Sequence, residues 1–153
     1  MRKIIFSGLL LAFMVSCQSD DVSTTDNPNN GPVQFDTVKQ DILSGDAVDS
    51  GNFVIKTTAE WDVFKEMANA AYQEEIDAFE GVAVDFAAYD VIATVDQWYP
   101  NGGHGIEISS VSKVDEGIVV SVEKIGEGNG TTVVTQPFHV VKIPKTTLPI
   151  IFE

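Results

Sequence analysis

The carboxyl-terminal half of the chain is a succession of short apolar segments that alternate with turn-like sequences. Residues 91–95 form a nearly continuous apolar run. Residues 104–114, with an apparent phase slip before Val111, and residues 118–125 alternate between apolar and polar side chains. Such alternation indicates strands with one buried face, and hairpin-length connections join antiparallel strands. Further short strands are predicted over 131–135, 138–143 and 148–152. The pattern favours an antiparallel sheet or sandwich.

One amphipathic helix is predicted before these strands. Thr57 followed by Glu60 fits a capping box, in which side chains and backbone at a helix start hydrogen-bond reciprocally. Apolar residues then recur at helical spacing, so the helix is expected to run from 58 to about 74. Its Trp61 and Phe64 are interpreted as core residues. The fold class is therefore α+β, mainly β, with one principal helix on the amino-terminal side.

Length, charge and cysteine content limit the domain and its partners. The chain has 153 residues, a formal net charge of −14 and a single Cys. This length allows one modest domain, which we assign to 33–153. The negative charge argues against nucleic acid as a partner, because a phosphate-binding face needs clustered Lys and Arg. One Cys excludes a disulfide within the chain and Cys-rich metal sites, and no cofactor is predicted.

The amino-terminal segment has the pattern of a bacterial lipoprotein signal. Arg2 and Lys3 precede an apolar run over 4–15, which is too short to cross a bilayer but long enough for a secretory signal. The run ends in Met14-Val15-Ser16-Cys17, which resembles a lipobox. Residues 1–16 are therefore predicted to be a signal peptide. Cys17 is predicted to be acylated and to be the protein's only contact with a membrane.

A polar segment follows the predicted lipidation site. Residues 17–32 are interpreted as the lipidated Cys and a flexible acidic tether, because one apolar side chain among residues 18–32 cannot offset the entropy of ordering the backbone. The Gln18-Ser19-Asp20-Asp21 stretch resembles a surface-export signal, and a plain solvated tether is the alternative. The position after Cys17 is Gln and not Asp, so the inner-membrane retention signal is absent. We therefore predict an outer-membrane anchor, facing the periplasm or the cell surface.

Three short segments follow one another in a fixed order along the second half of the chain. They are an Asp-Phe pair at 85–86 before the apolar strand, a Gly-Gly turn at 102–103 opening an alternating strand, and Pro137-Phe138 leading into a Val-rich strand. Together they resemble the C-terminal domain of PrcB, a lipoprotein subunit of a bacterial cell-surface protease complex. His104 stands where the family often has an aromatic residue. The resemblance covers roughly 84–145. It implies a non-catalytic, membrane-anchored protein that assembles with or stabilises a protease.

The chain offers little that resembles a catalytic site. Its two histidines, His104 and His139, lack metal-ligand spacing, and no Gly-x-Ser-x-Gly elbow is present. His104 is interpreted as an exposed turn residue and His139 as packing at a strand edge. We therefore predict that the protein is not an enzyme.

Aromatic and Gly-rich loops are the candidate binding surface. Loops on a rigid β frame commonly carry binding residues, and aromatic residues are enriched at interfaces. The predicted partner-binding residues are Trp98, Tyr99, Gly102, Gly103, His104, Pro137 and Phe138. Two alternatives use the same region. One is a module that binds a small molecule or glycan. The other is a protease inhibitor resembling chagasin, with loops at 100–105, 126–130 and 136–138.

Overall fold

The computed structural model describes residues 29–72 and 78–153. These residues contain one helix and eight strands, and the strands form two four-stranded sheets. The helix α1 spans Thr58–Ala71. The strands are β1 (Gly31–Pro32), β2 (Asp36–Leu43), β3 (Gly51–Ile55), β4 (Tyr89–Val95), β5 (Gly105–Val114), β6 (Gly117–Ile125), β7 (Gln136–Pro144) and β8 (Ile150–Phe152). The predicted class, α+β and mainly β with one helix, is confirmed.

The two sheets have different strand orders. The inner sheet, which packs against α1, has the order β2-β7-β4-β3, and all its pairings are antiparallel. The outer sheet has the order β1-β5-β6-β8, and its only parallel pairing joins β6 and β8. Helix, inner sheet and outer sheet form three layers with two apolar interiors between them.

The helix begins and ends where local chemistry requires it. The Thr57 hydroxyl accepts the Glu60 N–H at 3.2 Å, and the Glu60 carboxylate accepts the Thr57 N–H at 3.1 Å, which confirms the capping box. The helix ends at Ala71, because Tyr72 takes an extended backbone conformation. Its buried face, formed by Trp61, Phe64, Ala68 and Ala71, packs on the inner sheet.

The central strands β4 and β7 are covered on both faces. In β4, Val91, Ala93 and Val95 face α1, whereas Ile92 packs between the sheets. A strand that is covered on both faces needs apolar side chains on both, rather than apolar and polar side chains in alternation. This explains the nearly continuous apolar run. The phase slip in β5 is a β-bulge: its register with β6 shifts between Ile108 and Ser110, so one extra residue is inserted.

Some expectations differ from the structure. The predicted strand 131–135 is absent, and only Thr135 forms an isolated bridge, with Tyr99. Gly31 and Pro32, assigned to the tether, pair with β5, so the first strand begins two residues before the predicted boundary at Val33. The predicted signal peptide and Cys17 lie outside the described residues. In the described part of the chain, no helix is both long and apolar enough to cross a membrane.

Candidate functional site

Two loops meet beyond one end of the sheets, and we call the segments 96–104 and 126–135 together the loop end. Tyr99 and Thr135 exchange backbone hydrogen bonds of 2.8 and 3.0 Å. The Asn129 N–H donates to the Gly102 carbonyl at 2.7 Å, and the Gly128 N–H donates to the Gly103 carbonyl at 3.3 Å. The backbone of one loop is therefore fixed to the backbone of the other.

Side-chain amides and hydroxyls add a second set of links. The Asn101 amide donates to the Asn129 carbonyl at 3.0 Å, and the Thr135 hydroxyl donates to the Asn101 carbonyl at 2.8 Å. The Thr131 hydroxyl donates to Asn129 Oδ1 at 2.6 Å and accepts the Gly102 N–H at 3.3 Å. Short polar side chains of this kind satisfy loop backbone groups that a sheet would otherwise pair.

A close backbone approach at Gly126 requires glycine. Its φ is +78°, in the region that side-chain-bearing residues rarely adopt, and a Cβ there would collide with the Gly103 carbonyl oxygen. Gly103 has φ +82°, and a Cβ there would lie 3.0 Å from backbone atoms of both Gly128 and Asn129. These glycines therefore hold the two loops at contact distance.

A buried carboxylate anchors the start of the loop end. Asp96 follows β4 directly, and its carboxylate accepts hydrogen bonds from the Tyr99 hydroxyl and the Gln97 N–H, each at 2.8 Å. Lys124 Nζ lies 2.7 Å from Asp96 Oδ1, the oxygen that also accepts the Gln97 N–H. Burial raises the pKa of Asp96, but the hydrogen bonds from Lys124, Tyr99 and Gln97 outweigh it and hold the pKa below its usual value.

The ring of Tyr99 packs face to face on a neighbouring imidazole. It stacks on His104 with 3.6 Å between ring centroids and 7° between planes. His104 Nε2 in turn lies 3.2 Å from Asn101 Oδ1. Burial, followed by the bond to Asp96, raises the pKa of the Tyr99 hydroxyl, so it remains a protonated donor. His104 is therefore a half-buried packing partner rather than a free turn residue.

Trp98 is the exposed aromatic residue of this region. Its neighbours Asp96 and Tyr99 are bonded in place, yet 42% of the Trp98 surface is exposed. Three further exposed apolar residues come from segments that meet here. The first is Ile42, which pairs with Pro137, and the Pro137 carbonyl accepts the Asp96 N–H. The second is Ile125, which pairs with Gly105. The third is Val133, two residues before Thr135.

Three of the predicted binding residues, Gly102, Pro137 and Phe138, are buried, which corrects the sequence analysis. Pro137 is buried in β7, and Phe138, which is 1% exposed, packs in the core with 5.9 Å between its ring centroid and that of Phe79. Neither lies on a binding surface. The neighbouring Gln136 is buried too, and its amide donates to the Val48 and Asp96 carbonyls at 2.8 and 2.9 Å. The segment 136–138 is thus the start of a strand and not a loop of the chagasin type.

His139 also differs from its interpretation as a strand-edge residue. It lies in β7 between the two sheets and is buried, with both ring nitrogens hydrogen-bonded. Its hydrogen-bond partners are Thr37 and Ile108, whereas His104 contacts Tyr99 and Asn101. Across residues 29–72 and 78–153, no group of three or more His, Cys, Asp and Glu side chains could hold a metal ion.

Sequence reasoning missed the polar residues that fix the loop end. Asp96, Asn101, Lys124 and Asn129 hold Tyr99 and the glycines in place, although none was singled out. Asp96 carried one usable signal, because a carboxylate directly after a buried apolar strand needs partners. Lys124 and Asn129 carried none, since they come from a different hairpin.

Comparison with known proteins finds no matching family model, no matching curated protein and no matching solved structure. The resemblance to the PrcB family therefore remains a prediction from the sequence motifs.

Proposed function

We propose that the protein is an outer-membrane-anchored, non-catalytic lipoprotein whose loop end binds another protein. By resemblance to the PrcB family, the partner is a protease, and this chain is a subunit or stabiliser of a cell-surface protease complex. The observation that carries the proposal is the exposure of Trp98 on a segment whose flanking residues are fixed by hydrogen bonds.

Rigid aromatic residues suit protein recognition. Trp is enriched among the residues that contribute most to interface affinity, and a preorganised loop loses little conformational entropy on binding. Asp96 and Tyr99 hold the backbone on either side of Trp98, so its indole is presented without further ordering of the main chain. Ile42, Ile125 and Val133 are further exposed apolar residues on segments that meet at the same end.

The position of two grooves away from Trp98 supports a protein over a small molecule as the partner of the loop end. A small ligand needs a concave pocket that buries most of its surface. Two grooves on the described surface, of about 570 and 380 Å³, are lined by residues of other regions, and neither includes Trp98. A protein partner can cover an exposed aromatic residue with a pocket of its own.

A photo-crosslinking experiment in intact cells tests the loop end. A photoreactive amino acid is placed at position 98 and, as a matched control, at position 151, where the 40%-exposed Ile151 lies on β8. We expect a discrete crosslinked species from position 98 whose partner is a protease by mass spectrometry. The proposal fails if position 98 gives no adduct, or if it captures only glycan or small molecules.

The anchor is tested separately. Labelled palmitate should enter the full-length protein and should not enter the Cys17→Ser variant. The variant should also leave the membrane fraction, because acyl chains at Cys17 are the predicted attachment. Retention of Cys17→Ser in the outer membrane would contradict the anchor but would leave the loop-end surface unaffected.

A further inference from the structure

The two sheets have four edge strands, and three of them carry features that prevent pairing with another chain. β1 has two residues and contains Pro32, and β8 has three residues. β2 is interrupted by a bulge between Thr37 and Lys39 and carries charged side chains along its length. Short strands, proline, bulges and edge charges are the usual devices by which proteins protect open sheet edges.

The fourth edge strand, β3, has none of these features. Gly51–Ile55 contains neither a charged residue nor a proline, and its register with β4 is unbroken. β4 lies on one side only, since β3 ends the order of the inner sheet. In the described part of the chain, no hydrogen bond from outside the β3–β4 pairing reaches the backbone of Asn52–Ile55. The outer N–H and C=O groups of this strand are therefore available to a partner strand.

An apolar groove of about 570 Å³ runs beside this open edge. One wall is β3 itself, with Phe53 and the exposed Val54, and the other wall is α1, with Val63 and Met67. Val63 is 68% exposed although it lies on the groove. A groove between an edge strand and a helix is the geometry in which an added strand obtains both backbone bonds and pockets for alternate side chains.

We propose that β3 is a second interaction site, which accepts an extended segment of a partner protein as an added strand. The segment carries alternate apolar side chains, which fill the groove against α1, and it is flanked by Lys or Arg. This site is separate from the loop end and does not depend on the proposed function.

The basic flanks follow from the charges on α1. The helix carries three carboxylates, on Glu60, Asp62 and Glu66, against the single cation Lys65. That cation is already 3.0 Å from Asp62. Glu60 caps the helix and remains exposed to solvent at the groove. Glu60 is the one charged residue among those that line the groove, and a strand flanked by Lys or Arg complements its carboxylate.

The same charges disfavour a second copy of this chain as the occupant. Two β3 strands paired antiparallel would be related by a twofold axis perpendicular to the sheet. Such an axis keeps both α1 helices on the same face, so their carboxylates would approach one another. Each copy also has a formal net charge of −14, and like charges oppose association.

Nuclear magnetic resonance of the full-length protein in detergent micelles tests the site. The probe is the capped peptide Lys-Val-Thr-Val-Thr-Val-Lys, and the control is the same peptide with Glu in place of both Lys. We expect the Lys peptide to shift the amide resonances of Gly51–Ile55 and to slow hydrogen exchange of those β3 amides that do not bond to β4. The Glu peptide should bind at least about tenfold more weakly, because it meets the carboxylates of α1.

Matched variants locate the binding. Val63→Lys places a cation on the groove wall at a position whose exposure tolerates it, and we expect peptide affinity to fall about tenfold. Val133→Lys makes the same change at the 60%-exposed Val133 of the loop end and should leave binding unchanged, as should Trp98→Ala. The proposal is overturned if the Lys peptide leaves the β3 amides unshifted, or if Val63→Lys binds it like the native chain. Concentration-dependent shifts of the same amides without peptide would instead assign β3 to a second copy.

Discussion

The imidazole of His139 accepts a hydrogen bond from the backbone N–H of Ile108, with 2.9 Å between Nδ1 and the amide nitrogen. An amide can only donate, so Nδ1 is unprotonated and the neutral ring carries its proton on Nε2. Nε2 lies 3.0 Å from the Thr37 hydroxyl, to which it donates. One buried ring therefore joins β5 of the outer sheet to β2 of the inner sheet, and Gln40 adds a parallel link from its amide to the Ile106 carbonyl at 3.0 Å.

This geometry makes the stability of the fold depend on pH near neutrality. A proton on Nδ1 would face the Ile108 N–H, and burial lowers the pKa of His139 below 6.5, although the nearby Glu107 carboxylate opposes this shift. Between the lowered pKa and 6.5, the unfolded chain binds the proton and the folded chain does not. The contribution of His139 to the free energy of unfolding should therefore be constant above pH 6.5 and should fall as the pH decreases below 6.5.

Urea unfolding at a series of pH values from 8 to 5 measures this dependence. His139→Leu should remove it and should also cost about 1–3 kcal/mol at pH 8, because the buried Ile108 N–H loses its acceptor. His104→Gln is the matched control, since it removes the other histidine and should retain the pH dependence of the native chain. Equal slopes for His139→Leu and the native chain would contradict the assignment.

The free energy of unfolding should depend more on the hydrogen bond from Tyr99 to Asp96 than on the ion pair of Lys124 with Asp96. Tyr99→Phe keeps the stack on His104 but removes the hydroxyl that donates to Asp96 at 2.8 Å, and we expect a loss of about 1–2 kcal/mol. Lys124→Met should cost less, about 0.5 kcal/mol, because the Lys124 side chain is largely exposed and solvent screens its charge. Urea unfolding of both variants and of the double variant gives the coupling.

Much of the fold could be predicted because its signals are local. The capping box at Thr57 and Glu60, the apolar spacing in α1 and the phase slip before Val111 each arise within a few residues. The segment 131–135 consists of β-branched residues, which are typical of strands, yet only Thr135 forms a bridge. A strand needs a neighbouring strand as well as a favourable composition.

The site could be predicted only in part, because its determinants lie far apart in the sequence. Trp98 and the Gly-Gly turn were found from loop composition alone. Pro137 and Phe138 are predicted from the sequence to lie with the aromatic and Gly-rich loops, whereas Pro137 pairs with Ile42 near the start of a buried strand. His139 depends on Thr37, 102 residues away, and Ile108, 31 residues away, so no local pattern shows that it joins two sheets.

Two glycines on the same loop should respond oppositely to alanine. Gly126→Ala should cost about 1–3 kcal/mol, because φ there is +78° and the new Cβ would meet the Gly103 carbonyl. Gly130→Ala should be neutral or slightly stabilising, because nothing lies within 4 Å of the Cβ position and its φ is not positive. Thermal unfolding of the two variants checks this, and similar losses for both would show that the loop tolerates no side chain at either position.

Phe138 and Trp98, proposed together from the sequence as binding residues, should now separate into a core residue and a surface residue. Phe138→Ala removes a ring that is 1% exposed and should cost about 3–5 kcal/mol, because it leaves a cavity between β7 and α1. Trp98→Ala should change the free energy of unfolding by less than about 0.5 kcal/mol, because Trp98 is 42% exposed and its neighbours are held by bonds that do not involve its indole. Urea unfolding gives both values. A large loss for Trp98→Ala would mean that its indole supports the loop end, and crosslinking from position 98 would then report on a structural residue.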